Sequence, residues 1–242
     1  MEGVTRESIK PLLELQRIDS AIDRLRARRA DLPEQRELDG FLDQRAAIDT
    51  PLTERVGALE EVIRDQTRLE GEIELLDQRR VSEERRMGSG EVQNPRELQN
   101  IQAELDAVAR RKSHLEDQEL EVMERREELE KEADGFRAQI AELDGSIADT
   151  TARRDAVTVE IDKELGELGA RRDGIVPGLP AELVAFYDEL RQKYGGIAVG
   201  AYEDGTCRAC SLPLSPMAKD DIRRSDEALL RCENCRRLLI EP

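Results

Sequence analysis

Tryptophan is absent from this sequence, and only three Tyr and three Phe supply bulky rings among its 242 residues. A compact globule of that length is usually anchored by many aromatics around a thick core. So small a stock argues against one large α/β or all-β domain. Long apolar runs are also missing: nothing approaches the roughly 18 consecutive apolar residues that cross a bilayer. The N-terminal stretch lacks a cationic segment followed by a continuous apolar one, so no signal peptide is read and the expected compartment is the cytoplasm. There thiols stay reduced. Histidine occurs once, at His114, within a helical pattern, where a solvated helix-surface residue is expected. With one His and none beside a Cys in sequence, a Cys–His nucleophile has little support. Gly88-Ser89-Gly90 lacks the Gly-Lys-Ser/Thr of a phosphate loop. The expectation is a protein that is not an enzyme.

What the sequence has in quantity is charge. Charged and apolar residues each make up 38%, and the formal net charge is −17. Of 38 bases, 32 are Arg. Residues 177–242 carry 11 acids and 9 bases, a net of −2, so residues 1–176 carry −15. That acidic part should repel phosphates, and any nucleic-acid contact needs a local basic patch.

Glu, Arg, Ala and Leu, all good helix formers, dominate, and they fall into heptads. From Leu98, alternating steps of three and four residues reach Ile101, Leu105, Val108, Leu115, Val122, Leu129, Ala133, Phe136, Ile140, Leu143, Ile147, Val157, Ile161 and Leu168 without a slip. Polar residues interrupt the track at Lys112, Glu119, Arg126, Thr150, Arg154 and Glu164. An earlier track runs Leu15, Ile18, Ile22, Leu25, Arg29, Leu32, then restarts after Pro33 as Leu38, Phe41, Arg45, Ile48, Leu52, Arg55, Leu59, Val62, Gln66, Leu69, Ile73, Leu76, Arg80. Two such seams predict a coiled coil. Pro33 predicts a kink or break at 32–36, and Pro51 a second bend. Polar seam positions lower stability while fixing register, or simply snorkel outward. The same impurity leaves side faces through which two hairpins could form a homodimer. Gly57, Gly71, Gly135 and Gly145 read as bends, close contacts or tolerated positions.

Residues 87–94, with two glycines and no period, read as the turn of an antiparallel hairpin. Asn94 is the expected cap of the returning helix, Pro95 its first residue and Glu97 the partner in a capping box. A turn centred between 86 and 95 would set residue 77 opposite residue 104. The helix should end in the Gly- and Pro-rich stretch 166–180, followed by a short helix from Ala181 to about Tyr194 and a strand near 197–202.

Cys207-Arg208-Ala209-Cys210 and Cys232-Glu233-Asn234-Cys235 form two C-x2-C knuckles 21 residues apart. Each tight turn offers two thiolates, and the spacer lets the second fold onto the first. That is the pattern of one structural Zn2+ held by Cys207, Cys210, Cys232 and Cys235. Four Cys ligands leave no position for a reactive water. A redox dithiol pair is the alternative, but the βαβ pattern it usually accompanies is missing. The expected class is therefore mainly α. A long antiparallel coiled-coil hairpin, kinked near residue 33, occupies 1–176, and a short helix with a small C4 zinc ribbon of short β-strands occupies 177–242. Around the knuckles, Arg208, Lys219, Arg223, Arg224, Arg231, Arg236 and Arg237 could meet phosphates or an acidic protein surface, or form a solvated, salt-bridged surface. No aromatic lies in 207–242, so base stacking there is not expected.

The layout resembles the bacterial C4-type zinc ribbon domain family, also described as nucleic-acid-binding zinc ribbon proteins. The resemblance rests on LLELQRIDSAIDRL at 12–25, NPRELQNIQAEL at 94–105, LPAELVAFYDELR at 179–191, and the knuckles CRAC and CENCRRLLIEP. It implies cytoplasmic bacterial proteins without enzymatic activity, with the four cysteines as zinc ligands and the ribbon's arginines as the basic surface. It also makes the hairpin tip, Asn94, Pro95, Arg96 and Glu97, a second candidate contact. Some relatives are tied to RNA binding and to an alternative sigma factor that controls flagellar genes. The Arg-rich composition points to a different lineage, and the flagellar role is not carried over. Two functions follow as expectations: RNA or DNA binding of low specificity through the ribbon, regulatory in gene expression, or a protein–protein adaptor that docks on transcription or translation machinery.

Overall fold

The structure is a computed structural model that describes residues 4–90, 92–225 and 227–242. Helix α1 spans Pro11–Ala30, α2 spans Pro33–Gly88 and α3 spans Pro95–Ile175. A short 3-10 turn over Val176–Gly178 leads to α4, Ala181–Lys193. Then come β1 (Val199–Glu203), β2 (Thr206–Cys207), β3 (Leu212–Pro213), α5 (Pro216–Arg224) and β4 (Leu238–Ile240). The expected architecture is present: two long helices make the hairpin, and a small sheet with a cysteine cluster ends the chain. The chain divides into two compact units, 1–36 with 151–242, and 37–150, a cut placed differently from the 1–176 and 177–242 division.

The break near Pro33 is tighter than the expected 32–36 and lies at Asp31–Leu32. Pro33 opens α2, where its missing N–H is no loss, and its ring keeps Leu32 out of helical geometry. Helix α2 then continues through Pro51 as one element.

Every buried residue of α3 (Ile101, Leu105, Val108, Leu115, Leu129, Ala133, Thr150 and Ile161) lies on the single track read from the sequence. One track position departs: Glu164 is exposed and Leu165 takes its place at half burial. The polar seam residues do more than snorkel. In the 37–150 unit, Arg45 reaches Asp144 at 2.6 Å, Arg55 reaches Glu132 at 2.6 Å and Lys112 reaches Asp77 at 2.7 Å. Arg126 donates to Gln66 at 3.2 Å. Each joins the two helices of the hairpin. The pairing is offset from the expected one, because Asp77 meets Lys112 while residue 104 meets Arg79. Long side chains reach diagonally along the seam, and the connection from Gly88 to Pro95 is wider than a tight turn.

In the 1–36 and 151–242 unit, the core is built from α1, the turn before it, α4 and the sheet together: Ile9, Leu12, Leu15, Leu183, Tyr187, Leu190, Val199, Leu238 and Ile240. Fully burying a side chain of this size contributes roughly 1.5–3 kcal/mol. The sheet order is β3-β2-β1-β4, with β1 and β4 parallel and the other pairs antiparallel. Asp204 and Gly205, both at positive φ, close β1 onto β2, the two-residue hairpin turn that an Asp-Gly pair favours.

A candidate metal centre and the surface around it

Two identical turns bring the four cysteines together. Ser211 donates its N–H to the Cys207 carbonyl at 2.8 Å, and Arg236 donates to the Cys232 carbonyl at 2.9 Å. Both residues stand just after the second cysteine of their knuckle, at φ 60° and 62°. The four sulfurs lie within 4.8 Å of one another, with Cys207–Cys235 and Cys210–Cys232 each at 3.9 Å. A tetrahedron with Zn–S bonds of about 2.3 Å has sulfur–sulfur edges of about 3.8 Å, so the donor set fits such an ion. Gly200 on β1 runs directly under the first knuckle: a Cβ there would come 2.7 Å from the Ala209 Cβ and 3.1 Å from the Cys207 sulfur.

Backbone N–H groups of Ala209 and Cys210 favour the Cys207 thiolate, and those of Asn234 and Cys235 favour that of Cys232. Burial outweighs them and pushes the Cys207 thiol up to about 12 and the Cys232 thiol upward. At Cys235 burial also raises the value, but the Arg237 N–H and neighbouring donors prevail and bring it down to about 7.

The seven basic residues of this region have separate tasks. Arg237 donates to the carbonyls of Ile197 at 2.9 Å and Tyr194 at 3.1 Å, and its guanidinium lies 5.7 Å from the Tyr194 ring. Arg231 stacks 5.4 Å from the Phe186 ring. Arg208 pairs with Glu203 at 2.9 Å. Lys219 lays its stem across Gly205. Arg223 and Arg224 point outward, 75% and 83% exposed, with Asp220 at 4.0 and 3.6 Å. Arg236 is exposed as well. At the hairpin tip, in the other unit, Asn94 caps α3 by accepting the Arg96 N–H at 3.0 Å. Pro95 opens the helix, and Glu97 faces Arg86 at 3.8 Å across the turn. Glu91, within the expected turn, lies outside the described residues. His114 is exposed on α3.

Sequence reasoning missed the groups that dock the sheet on α1. Gln16, 6% exposed, accepts the N–H groups of Ala198 and Val199 at 2.7 and 3.2 Å and donates to the Gly196 carbonyl at 2.9 Å. Buried Asp19 is held by Arg172 at 2.9 Å and Arg191 at 3.2 Å. Arg6 donates to the carbonyls of Ile222 at 2.6 Å, Ser225 and Glu227, which receive the end of α5. The signal was available: Gln16 and Asp19 share the helical face of Leu12, Leu15 and Ile22.

A family model, the CT398-like coiled coil hairpin domain, matches residues 15–195. The chain belongs to that family. The matched span holds the hairpin and α4 and stops before the first cysteine. An uncharacterised protein of Mycobacterium tuberculosis is 28% identical over 241 residues, 98% of this chain and 96% of the relative. One from Mycobacterium leprae is 27% identical over 81% of this chain and 84% of its own. A solved structure from Mycobacterium smegmatis superposes with a TM-score of 0.81 at 29% identity, covering 98% of both chains. CT398 from Chlamydia trachomatis shares the fold with a TM-score of 0.63 at 20% identity over 98% of each chain. No described helix is long and apolar enough to cross a membrane.

Proposed function

We propose that this member of the CT398-like family is a non-enzymatic, cytoplasmic protein whose C-terminal lobe is a zinc ribbon that binds nucleic acid with little sequence preference. The zinc assignment is supported by the all-thiol donor set at tetrahedral spacing, with no position left for a reactive water. The nucleic-acid assignment is carried by Arg223, Arg224 and Arg236, which project from the lobe with only Asp220 near the first two, whereas Arg208 is paired with Glu203, Arg231 stacks on Phe186 and Arg237 donates to backbone carbonyls. Guanidiniums held outward on a small rigid lobe suit phosphate oxygens. Acidic helices elsewhere would confine a strand to that lobe. Binding of this kind would suit a regulatory role in gene expression.

The test is an anisotropy titration of zinc-loaded protein against random single-stranded RNA and duplex DNA at low and moderate salt. Phosphate binding falls steeply with salt. The triple variant Arg223→Glu, Arg224→Glu, Arg236→Glu should lose it while retaining zinc. No binding by the wild type at low salt overturns this reading. The adaptor reading, docking on transcription or translation machinery through the ribbon or the hairpin tip, then takes its place.

A further inference from the structure

The residues already assigned lie on the sheet lobe, but exposed positive charge is denser on α1, although Arg29 there is paired with Asp162 at 3.0 Å. The stretch Arg24-Leu25-Arg26-Ala27-Arg28-Arg29-Ala30 holds four arginines and no acid, in a chain of net charge −17. Arg28 and Arg29 in the last turn also complement the helix dipole. That reason does not reach Arg24 or Arg17, which stand further from the helix end.

Arg17, Arg24 and Arg28 are spaced by seven and four residues, two turns and one turn, so they share one face of the helix. All three are exposed. Their spacing along the axis is about 10 Å and about 6 Å. Arg24 and Arg28 make no ion pair among the described residues, and Arg17 has only Glu14, at 3.8 Å. Asp19 and Asp23 turn off this face and are taken up by other elements: Asp19 by Arg172 and Arg191, and Asp23 by Arg191 at 2.5 Å. Asp31, the next acid along, is neutralised by Arg36. At its other end this face runs into a groove between α1 and β1, lined by Arg17, Ser20, Gly200, Arg208 and Glu203, the last two paired with each other at 2.9 Å. Because Gln16 bonds the backbone of β1, the groove and the arginine row belong to one docked body.

We infer that Arg17, Arg24 and Arg28 form a phosphate-binding row along α1 that extends the ribbon's contact with a nucleic-acid backbone. The inference rests on the nucleic-acid reading above and adds a second surface to it. A row of exposed guanidiniums, two of them without an ion pair among the described residues, on an otherwise acidic chain matches a polyanion. The row offers no aromatic platform, so it contributes affinity and footprint rather than sequence choice.

The experiment measures the salt dependence of binding to random single-stranded RNA, with duplex DNA in parallel, for four zinc-loaded full-length proteins. They are the wild type; Arg17→Gln/Arg24→Gln/Arg28→Gln; the same three positions changed to Lys; and Arg223→Gln/Arg224→Gln/Arg236→Gln. Each phosphate contact removed should lower the slope of log K against log salt by about 0.7 on single-stranded RNA and about 0.9 on duplex DNA, so the α1 Gln variant should lose about two and about three respectively. The Lys variant should keep most of the slope, which separates charge from any damage to the helix. If the wild type binds and the α1 Gln variant keeps the wild-type slope, the row is not a contact, while the ribbon reading stands. If the α1 variant loses slope and the ribbon variant does not, the row is the principal contact and the ribbon assignment falls. If the wild type does not bind, both readings fall.

Discussion

Tyr187 donates its hydroxyl to the Asp19 carboxylate at 2.9 Å, and both side chains are almost wholly excluded from solvent. The tyrosine belongs to α4 and the aspartate to α1. Arg172 at the end of α3 and Arg191 on α4 supply the opposite charge. Burial first, then the neighbouring carboxylate, push the Tyr187 hydroxyl well above its ordinary pKa, so it remains a donor at any working pH. Breaking the centre by Asp19→Ala leaves two guanidiniums facing a buried gap. The expected loss is on the order of 3 kcal/mol, at the lower end for a buried pair because both arginines keep some solvent. Tyr187→Phe removes one hydrogen bond to a charged group and should cost about 1.5–3 kcal/mol. Urea unfolding of the two variants checks this. Equal stability to wild type would mean that α1 and α4 are held by their apolar contacts alone.

Lys112 and Asp77 show the seam chemistry at one cross-helix pair, with Arg80 at 3.5 Å from Asp77 and Glu116 at 3.5 Å from Lys112 on their own helices. The hydrogen bond from Lys112 holds the Asp77 carboxyl below its usual pKa, against a smaller opposing effect of burial. A carboxylate whose folded pKa is depressed adds stability above its unfolded pKa, and that stability is lost as pH falls through the folded value. The wild type should therefore exceed Asp77→Asn in urea midpoint at pH 6, and the gap should close as pH drops below about 4. A gap that does not shrink at all as pH falls below about 4 would assign the effect to packing rather than charge.

The hairpin was legible because burial along a helix obeys a period. Eight buried positions of α3 fall on one track since the seam needs only small periodic contacts, and heptads report those directly. The pairing offset was not legible: Asp77 meeting Lys112 depends on side-chain reach and on the width of the connection, neither of which a period encodes. Likewise the knuckle spacing revealed which cysteines meet, but not that Arg237 would face inward onto Tyr194 and Ile197 while Arg236 faced out. Adjacent residues differ there because the left-handed turn at Arg236 reverses the chain. The docking of the sheet on α1 was hidden for another reason. Gln16 and Asp19 sit on an apolar helical face as isolated polar residues, and only the third dimension supplies their partners.

The mid-helix glycines give a prediction of opposite sign. A Cβ added at Gly57, Gly71, Gly135 or Gly145 meets nothing within 4 Å. Close approach is thus not why they are glycine, and alanine should stabilise each site by about 0.5–1 kcal/mol through helix propensity and a less disordered unfolded chain. Combined, the four changes should raise the melting temperature of the protein. An unchanged or lower value would show that bends at these sites matter to the folded hairpin.

Gly200 is the contrasting case. Its φ is ordinary, so alanine carries no backbone penalty there, yet its Cβ would come 2.7 Å from the Ala209 Cβ, 3.0 Å from the Ala209 nitrogen and 3.1 Å from the Cys207 sulfur. These atoms belong to the first knuckle, whose sulfur geometry a tetrahedral ion would require within a few tenths of an ångström. Either the strand or the knuckle must shift. Because β1 is pinned by Gln16 on one side and paired to β4 on the other, the knuckle is the part that yields. On the zinc-ribbon proposal, Gly200→Ala should leave helix content unchanged and release the zinc to a chelator at least tenfold faster than wild type. Removing the metal from the wild type should loosen this lobe while the hairpin, held by its own seam, stays helical. Wild-type zinc retention in Gly200→Ala would mean that the strand moves instead, and that the close packing of Gly200 beneath the cysteines does not hold the metal site.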